Sequence, residues 1–183
     1  MKRHILSASA MLLLLTGCLW NPYRETVYYD IIPADTVPAG NTVYHVADLR
    51  NCSGTGSRFQ YKDADGKITG DPDRKWVMQP GALIARSIRL ALTAPGDNTG
   101  VSLQKADSTR QVYIRGELLA FETDTVKKEF ILHARLHVTQ AGAGEHLLDC
   151  NIRIPMQDTE PESITRAAGE AVEKIVEQLK KVR

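Results

Sequence analysis

One stretch of alternating residues, Glu129 to Gln140, constrains the fold more than any other part of the chain. Its apolar residues occupy every second position: Phe130, Leu132, Ala134, Leu136 and Val138. The residues between them are mostly polar. A period of two over nine residues is typical of a β-strand with one buried face and one polar face. We therefore expect a sheet that is covered on one side.

More strands are predicted before and after this one. They span residues 26–32, 42–49, 58–62, 67–69, 101–104, 111–122 and 146–156. In the last of these, Leu148, Cys150, Ile152 and Ile154 share one face, opposite Asp149. Cys150 is therefore expected to point into the core. The glycine-rich residues 141–144 predict the tip of a hairpin.

Two segments have the apolar periodicity of helices. The first begins near Pro80, which suits a first helical turn, and ends before Pro95. The second opens with the capping-box pattern of residues 159–162 and continues as a wide apolar stripe to the C-terminus. Together, the elements predict one α+β domain over residues 26–183, an antiparallel sheet with two α-helices packed on one face.

The N-terminus has the pattern of a lipoprotein signal peptide. A short basic start is followed by an uncharged apolar run, and residues 1–17 are too short to span a membrane. The run ends in Leu15, Thr16, Gly17 and Cys18, which match the bacterial lipobox. Cys18 is then the lipidated residue and residues 18–25 a tether. The alternative is an ordinary secretory signal followed by a structural cysteine.

The residue after Cys18 bears on the membrane to which the chain is sorted. In Gram-negative bacteria, an Asp at that position commonly retains a lipoprotein in the inner membrane, and this chain has Leu19. We therefore expect attachment by acyl chains to the periplasmic face of the outer membrane. The 23 basic and 22 acidic residues give a net charge of +1. A nearly neutral chain has no broad electrostatic attraction to nucleic acid, so no nucleic-acid partner is expected.

Two further cysteines, Cys52 and Cys150, remain once Cys18 is lipidated. In an oxidising compartment we expect a disulfide between them. The chain-entropy model gives such a long loop a stabilisation of about 4–5 kcal/mol. The alternative is two separate free thiols.

No catalytic residue, metal site or cofactor is predicted. His133 and His137 lie four residues apart in a strand, about 13 Å at the usual rise, which is too far to share a metal ion. We interpret both as solvated residues of the sheet face. The chain has no G-x-S-x-G, H-E-x-x-H or P-loop motif.

Trp76 lies just before the first predicted helix and is flanked by basic residues, Arg74 among them. It has two interpretations. Trp76 either anchors this segment on the sheet, or with Arg74 forms a partner contact, because Trp and Arg are enriched in interface hot spots.

These segments, taken together, resemble the ABC-type transport auxiliary lipoproteins. A Tyr-containing strand follows the lipidated cysteine, as in residues 27–31, and a short strand follows at 58–61. The most specific element is Trp76, followed by Pro80 and a helix, where the family has a tryptophan, a pair of prolines and a helix. The resemblance covers nearly all of residues 18–183.

The resemblance implies a non-enzymatic role. Such lipoproteins accompany ABC permeases and mammalian-cell-entry-type proteins that move lipids or other hydrophobic molecules across the envelope. The implied mechanism is tethering, in which Cys18 holds the domain at the membrane and a folded face docks the transport assembly. A homo-oligomeric ring is compatible with this role. The alternative is an outer-membrane assembly or enzyme-activating lipoprotein with a similar small domain.

Overall fold

The computed structural model describes residues 24–31, 42–54, 56–92, 110–140, 142 and 144–182. The predicted signal peptide, the lipobox residues Leu15, Thr16 and Gly17, the lipidated Cys18 and the predicted strand at 101–104 lie outside these residues.

The described residues form eight strands and two helices. The strands are β1 (Val27–Tyr29), β2 (Thr42–Val46), β3 (Arg50–Asn51), β4 (Arg58–Lys62), β5 (Ile68–Trp76), β6 (Arg110–Asp124), β7 (Glu129–Gln140) and β8 (Gly144–Pro155). The helices are α1 (Pro80–Leu92) and α2 (Pro161–Lys181).

The sheet is mixed, so the predicted purely antiparallel sheet is wrong. β6, β7 and β8 form an antiparallel meander, and β4 is antiparallel to β5. The other edge of β6 is lined in turn by β2, β3 and β4, all parallel to it, and β1 is parallel to β5. Parallel pairs need a crossover connection. Here the chain passes through α1 between the early strands and β6, so these strands enter the sheet in the same direction as β6.

The strand β5 is longer than the sequence indicates. The predicted strand spans only residues 67–69, but β5 continues to Trp76. Asp71 accepts hydrogen bonds from the backbone N–H groups of Asp73 and Arg74, which accommodates an Asp- and Pro-rich sequence in the strand. Trp76 is thereby placed in the sheet, opposite Tyr29 of β1.

Both helices pack on the same side of the sheet, as predicted. α1 contacts β2, β3 and β6, α2 contacts β7 and β8, and the helices contact each other. The apolar residues of β7 predicted to be buried are all at most 3% exposed. A row of aromatic rings continues this core toward β5, with Phe59, Trp76, Phe121 and Phe130 in successive contact at centroid distances of 4.2, 5.1 and 5.0 Å.

The start of α1 is pressed against the chain at β3. A Cβ atom at Gly81 would lie 2.1 Å from the carbonyl oxygen of Leu49, well inside van der Waals contact. Only a glycine lets the helix approach this backbone so closely.

We therefore expect Gly81→Ala to destabilise the domain, because the helix must move away from β3. The cost should be about 1–3 kcal/mol, as for other overpacked sites, measured as the free energy of unfolding in denaturant. Gly56→Ala is the matched control, since a Cβ there meets no atom within 4 Å. Equal stability of the two variants would contradict the close approach.

Candidate functional site

The side of the sheet turned away from α1 and α2, here called the open face, is the first candidate for a partner-binding surface. Where β6, β7 and β8 form this face, two large residues project from it, Tyr113 of β6 at 51% exposure and Leu147 of β8 at 59%. They lie close together, because Tyr113 is opposite Thr139 of β7, and Leu147 is opposite His137 on the same strand. Exposed apolar groups inside a polar surround are typical of interface hot spots.

Charged pairs surround these two side chains. Glu145 lies 2.9 Å from the Nδ1 atom of His137 and 3.5 Å from Arg115. The hydrogen bond with His137, and then the one with Arg115, lowers the pKa of the Glu145 carboxyl. Farther along β7, His133 lies 2.6 Å from Asp149. Both histidines are thus residues of the sheet face, as predicted, and each is paired with a carboxylate. We call Tyr113, Leu147, His137, Glu145 and Arg115 the open-face patch.

A shallow groove of about 750 Å³ adjoins this patch at the end of β2. His45 forms one of its walls and stacks on Tyr113, with ring centroids 4.7 Å apart and planes inclined by 13°. The Nε2 atom of His45 lies 2.6 Å from the side-chain oxygen of Gln111. Arg89 of α1 forms another wall and donates a hydrogen bond to the carbonyl of Val46 at 2.7 Å. The groove therefore presents aromatic and cationic groups at the edge of the sheet.

The sequence offered one signal for these residues, which the prediction did not use. Tyr113 and Leu147 occupy the polar register of their strands, where an apolar or aromatic residue interrupts the alternation. His45 stacks on Tyr113 because β2 pairs in parallel with β6. No local sequence pattern shows that these two strands are paired.

Trp76 is a core residue. Its side chain is 2% exposed and packs between Phe59 and Phe121. Of the two predicted roles, the structure supports the anchor, since a side chain this buried offers almost no surface to a partner. Arg74 is partly exposed, and its Nε atom lies 3.9 Å from a carboxylate oxygen of Asp71.

We expect Trp76→Ala to destabilise the domain by about 3–5 kcal/mol, the usual cost of deleting a buried aromatic ring. Tyr28→Ala is the control, because that aromatic side chain is exposed, and it should change the free energy of unfolding by less than about 0.5 kcal/mol. Denaturant titrations of both variants make the comparison. A Trp76→Ala protein as stable as the wild type would show that Trp76 belongs to a surface.

The structure does not form the predicted disulfide, since Cys52 and Cys150 are both free thiols. Cys52 is exposed and follows β3, and its neighbour Asn51 is aligned with Leu118, Ala134 and Cys150 on three successive strands. Three strand spacings amount to about 14 Å, whereas bridged Cα atoms lie within about 7 Å. The prediction failed because the sequence does not show that two strands separate the cysteines.

Cys150 instead lies under α2, as its position on the apolar face of β8 predicted. Its thiol donates a hydrogen bond to the side-chain oxygen of Gln178 at 3.1 Å. Burial raises the pKa of the Cys150 thiol to about 11. At neutral pH it is therefore a protonated, shielded group with little thiolate to react.

We expect a thiol-alkylating reagent to modify Cys52 in the native protein and Cys150 only after unfolding. Peptide mapping by mass spectrometry after timed alkylation distinguishes the two. Non-reducing and reducing gels should show the same mobility. Modification of neither thiol in the denatured, unreduced protein would reveal a disulfide and contradict the structure.

Other classes of site receive no support from the described part of the chain. It contains no group of three or more metal-ligating side chains. None of its helices is long and apolar enough to cross a membrane. The lipobox and lipidated Cys18 stay predictions from the sequence.

Comparisons with known proteins support the fold. The sequence matches no protein-family model and no curated protein. One solved structure, described as that of an uncharacterized protein, is similar with a TM-score of 0.57 and 9% identity, covering 85% of this chain and 99% of that one. A second, from Xanthomonas campestris and described with the family model DUF330, has a TM-score of 0.48 and 12% identity, covering 87% and 86%. At 9% identity, the first likeness establishes a shared fold and no shared function.

Proposed function

We propose that this protein is a lipid-anchored, non-enzymatic auxiliary component of an ABC-type, mammalian-cell-entry-type transport system for lipids or other hydrophobic molecules. Cys18 carries the acyl chains and holds the domain at the periplasmic face of the outer membrane. The open-face patch docks a subunit of the transport assembly, and the domain thereby tethers that assembly to the membrane.

The observation that carries the docking role is the side of the sheet on which none of the described helices packs. The helices bury the opposite side, while Tyr113 and Leu147 stay exposed among charged pairs. A tyrosine and a leucine within a polar rim supply apolar contact area and orienting hydrogen bonds to a partner. The lipobox and the resemblance to the auxiliary lipoproteins support the anchor and the class of partner.

The anchor is tested by fractionation. The wild-type chain should stay with membranes after a high-salt wash, because acyl chains hold it there irrespective of charge. Cys18→Ala should leave the membrane fraction, since it lacks the thiol that accepts lipid. A Cys18→Ala protein that stays with membranes after the wash would contradict the lipid anchor.

Docking is tested by affinity purification of the lipidated protein followed by mass spectrometry. We expect wild-type protein to recover mammalian-cell-entry or ABC subunits, and Tyr113→Glu/Leu147→Glu to lose them. Removing two hot-spot residues should weaken binding by about 30-fold or more. Leu90→Glu/Val126→Glu is the matched control, because it also replaces two exposed apolar residues, on α1 and on the turn after β6.

Two results would contradict the proposal in different ways. If both double variants recover equal amounts of the transport subunits, the open-face patch is not part of the interface. Recovery only of peptidoglycan synthases or outer-membrane assembly factors would favour an assembly or enzyme-activating lipoprotein instead.

A further inference from the structure

A second exposed surface lies at the other end of the sheet, on the side facing away from the core. Lys75 of β5 is aligned with Tyr28 of β1 and with Arg58 of β4, so these three side chains share one face. Trp76 points to the opposite side, into the core. Val77 lies two residues after Lys75. Its backbone N–H donates a hydrogen bond to the backbone carbonyl oxygen of Tyr29 at 2.9 Å, which holds Val77 beside β1. We call Tyr28, Arg58, Lys75 and Val77 the β1 patch.

The β1 patch combines unneutralised positive charge with exposed apolar surface. Within the described part of the chain, neither Arg58 nor Lys75 has a carboxylate within salt-bridge distance, whereas the nearby Asp73 is paired with Arg24 at 3.3 Å. Tyr28 is 60% exposed, and Val77 is exposed beside it. Basic side chains with an aromatic and an aliphatic neighbour are the composition of a surface that lies at a lipid headgroup layer.

Covalent geometry brings this patch close to the anchor. Arg24 is six residues after Cys18 in the sequence, which spans at most about 20 Å when fully extended. A domain of this size has a radius of gyration of about 15 Å, so its diameter exceeds the reach of that tether. The end of the domain that carries β1 must therefore stay near the bilayer, whatever the path of the tether.

We propose that the β1 patch binds the anionic phospholipid headgroups of the membrane that holds Cys18, and so sets the orientation of the domain. This inference rests on the lipid anchor of the proposed function. Arg58 and Lys75 supply the attraction to phosphate, Tyr28 and Val77 enter the interfacial layer, and the strands β6, β7 and β8 are held at the far end of the sheet. Such an attraction between exposed charges weakens as salt shortens the Debye length.

The test measures the contact of single positions with lipid. The full lipidated chain carries Cys52→Ala, so that an environment-sensitive fluorophore reacts only at an introduced Tyr28→Cys, or at Tyr113→Cys as the matched control. The proteins are reconstituted into vesicles of phosphatidylethanolamine and phosphatidylglycerol that contain a headgroup-labelled quencher lipid. We expect strong quenching at position 28, little at position 113, and a marked decrease of the quenching at 28 in molar salt or in vesicles without phosphatidylglycerol, where only the tether keeps this end near the bilayer.

A charge reversal tests the same contact without altering position 28 further. In the Tyr28→Cys protein, Arg58→Glu/Lys75→Glu should lower the quenching to its value in molar salt, whereas Lys174→Glu/Lys181→Glu, on the exposed side of α2, should leave it unchanged. Thermal unfolding of each variant shows that the fold is retained. If the Arg58→Glu/Lys75→Glu variant does not fold, Arg58→Gln/Lys75→Gln replaces it, and this variant should also reduce the quenching.

The possible failures are distinguishable. Protein that floats with the vesicles but shows no quenching at position 28, or equal quenching at 28 and 113, overturns the β1 patch and leaves the anchor intact. Protein that does not float with the vesicles overturns the anchor and this inference together. Self-quenching of the position-28 probe at the same level in detergent and in vesicles would show that the patch faces a second copy of the chain, and would also overturn it.

Discussion

The structure depends on the pairing of β6 along both of its edges. On one edge β6 starts the long antiparallel meander, and on the other it accepts β2, β3 and β4 in turn. This pairing joins the early part of the chain to the late part. It also explains why Gly81 is needed, since α1 must pass close to the backbone that leads into β3 before the chain reaches β6.

The two sides of the sheet have different uses. The helices and the aromatic row from Phe59 to Phe130 bury one side, and Trp76 belongs to that row. On the other side, His133 and His137 of β7 are each paired with a carboxylate, and Tyr113 and Leu147 are exposed nearby. Because both described helices pack on one side of the sheet, the exposed residues of the other side are the candidates for contacts with other molecules.

The two proposed surfaces lie at opposite ends of the strand order. The β1 patch is formed by β1, β5 and β4, and the open-face patch by β6, β7 and β8. Adjacent strands are rotated by about 20–25°, so the three steps from β5 to β7 turn the centres of the two surfaces apart by about 60–75°. One twisted sheet can thus lie against a membrane at one end and present a partner-binding face at the other.

The sequence by itself determined the elements whose pattern is local. Alternation predicted β7 with its buried and polar faces, the apolar stripes and proline positions predicted both helices, and the register of β8 placed Cys150 in the core. The tertiary structure decided which strands are neighbours, and hence that the sheet is mixed. It also decided that Cys52 and Cys150 lie about three strand spacings, or about 14 Å, apart, and that His45 stacks on Tyr113. The physical reason is that periodicity records which face of an element is buried, whereas pairing of distant strands depends on the path of the chain between them.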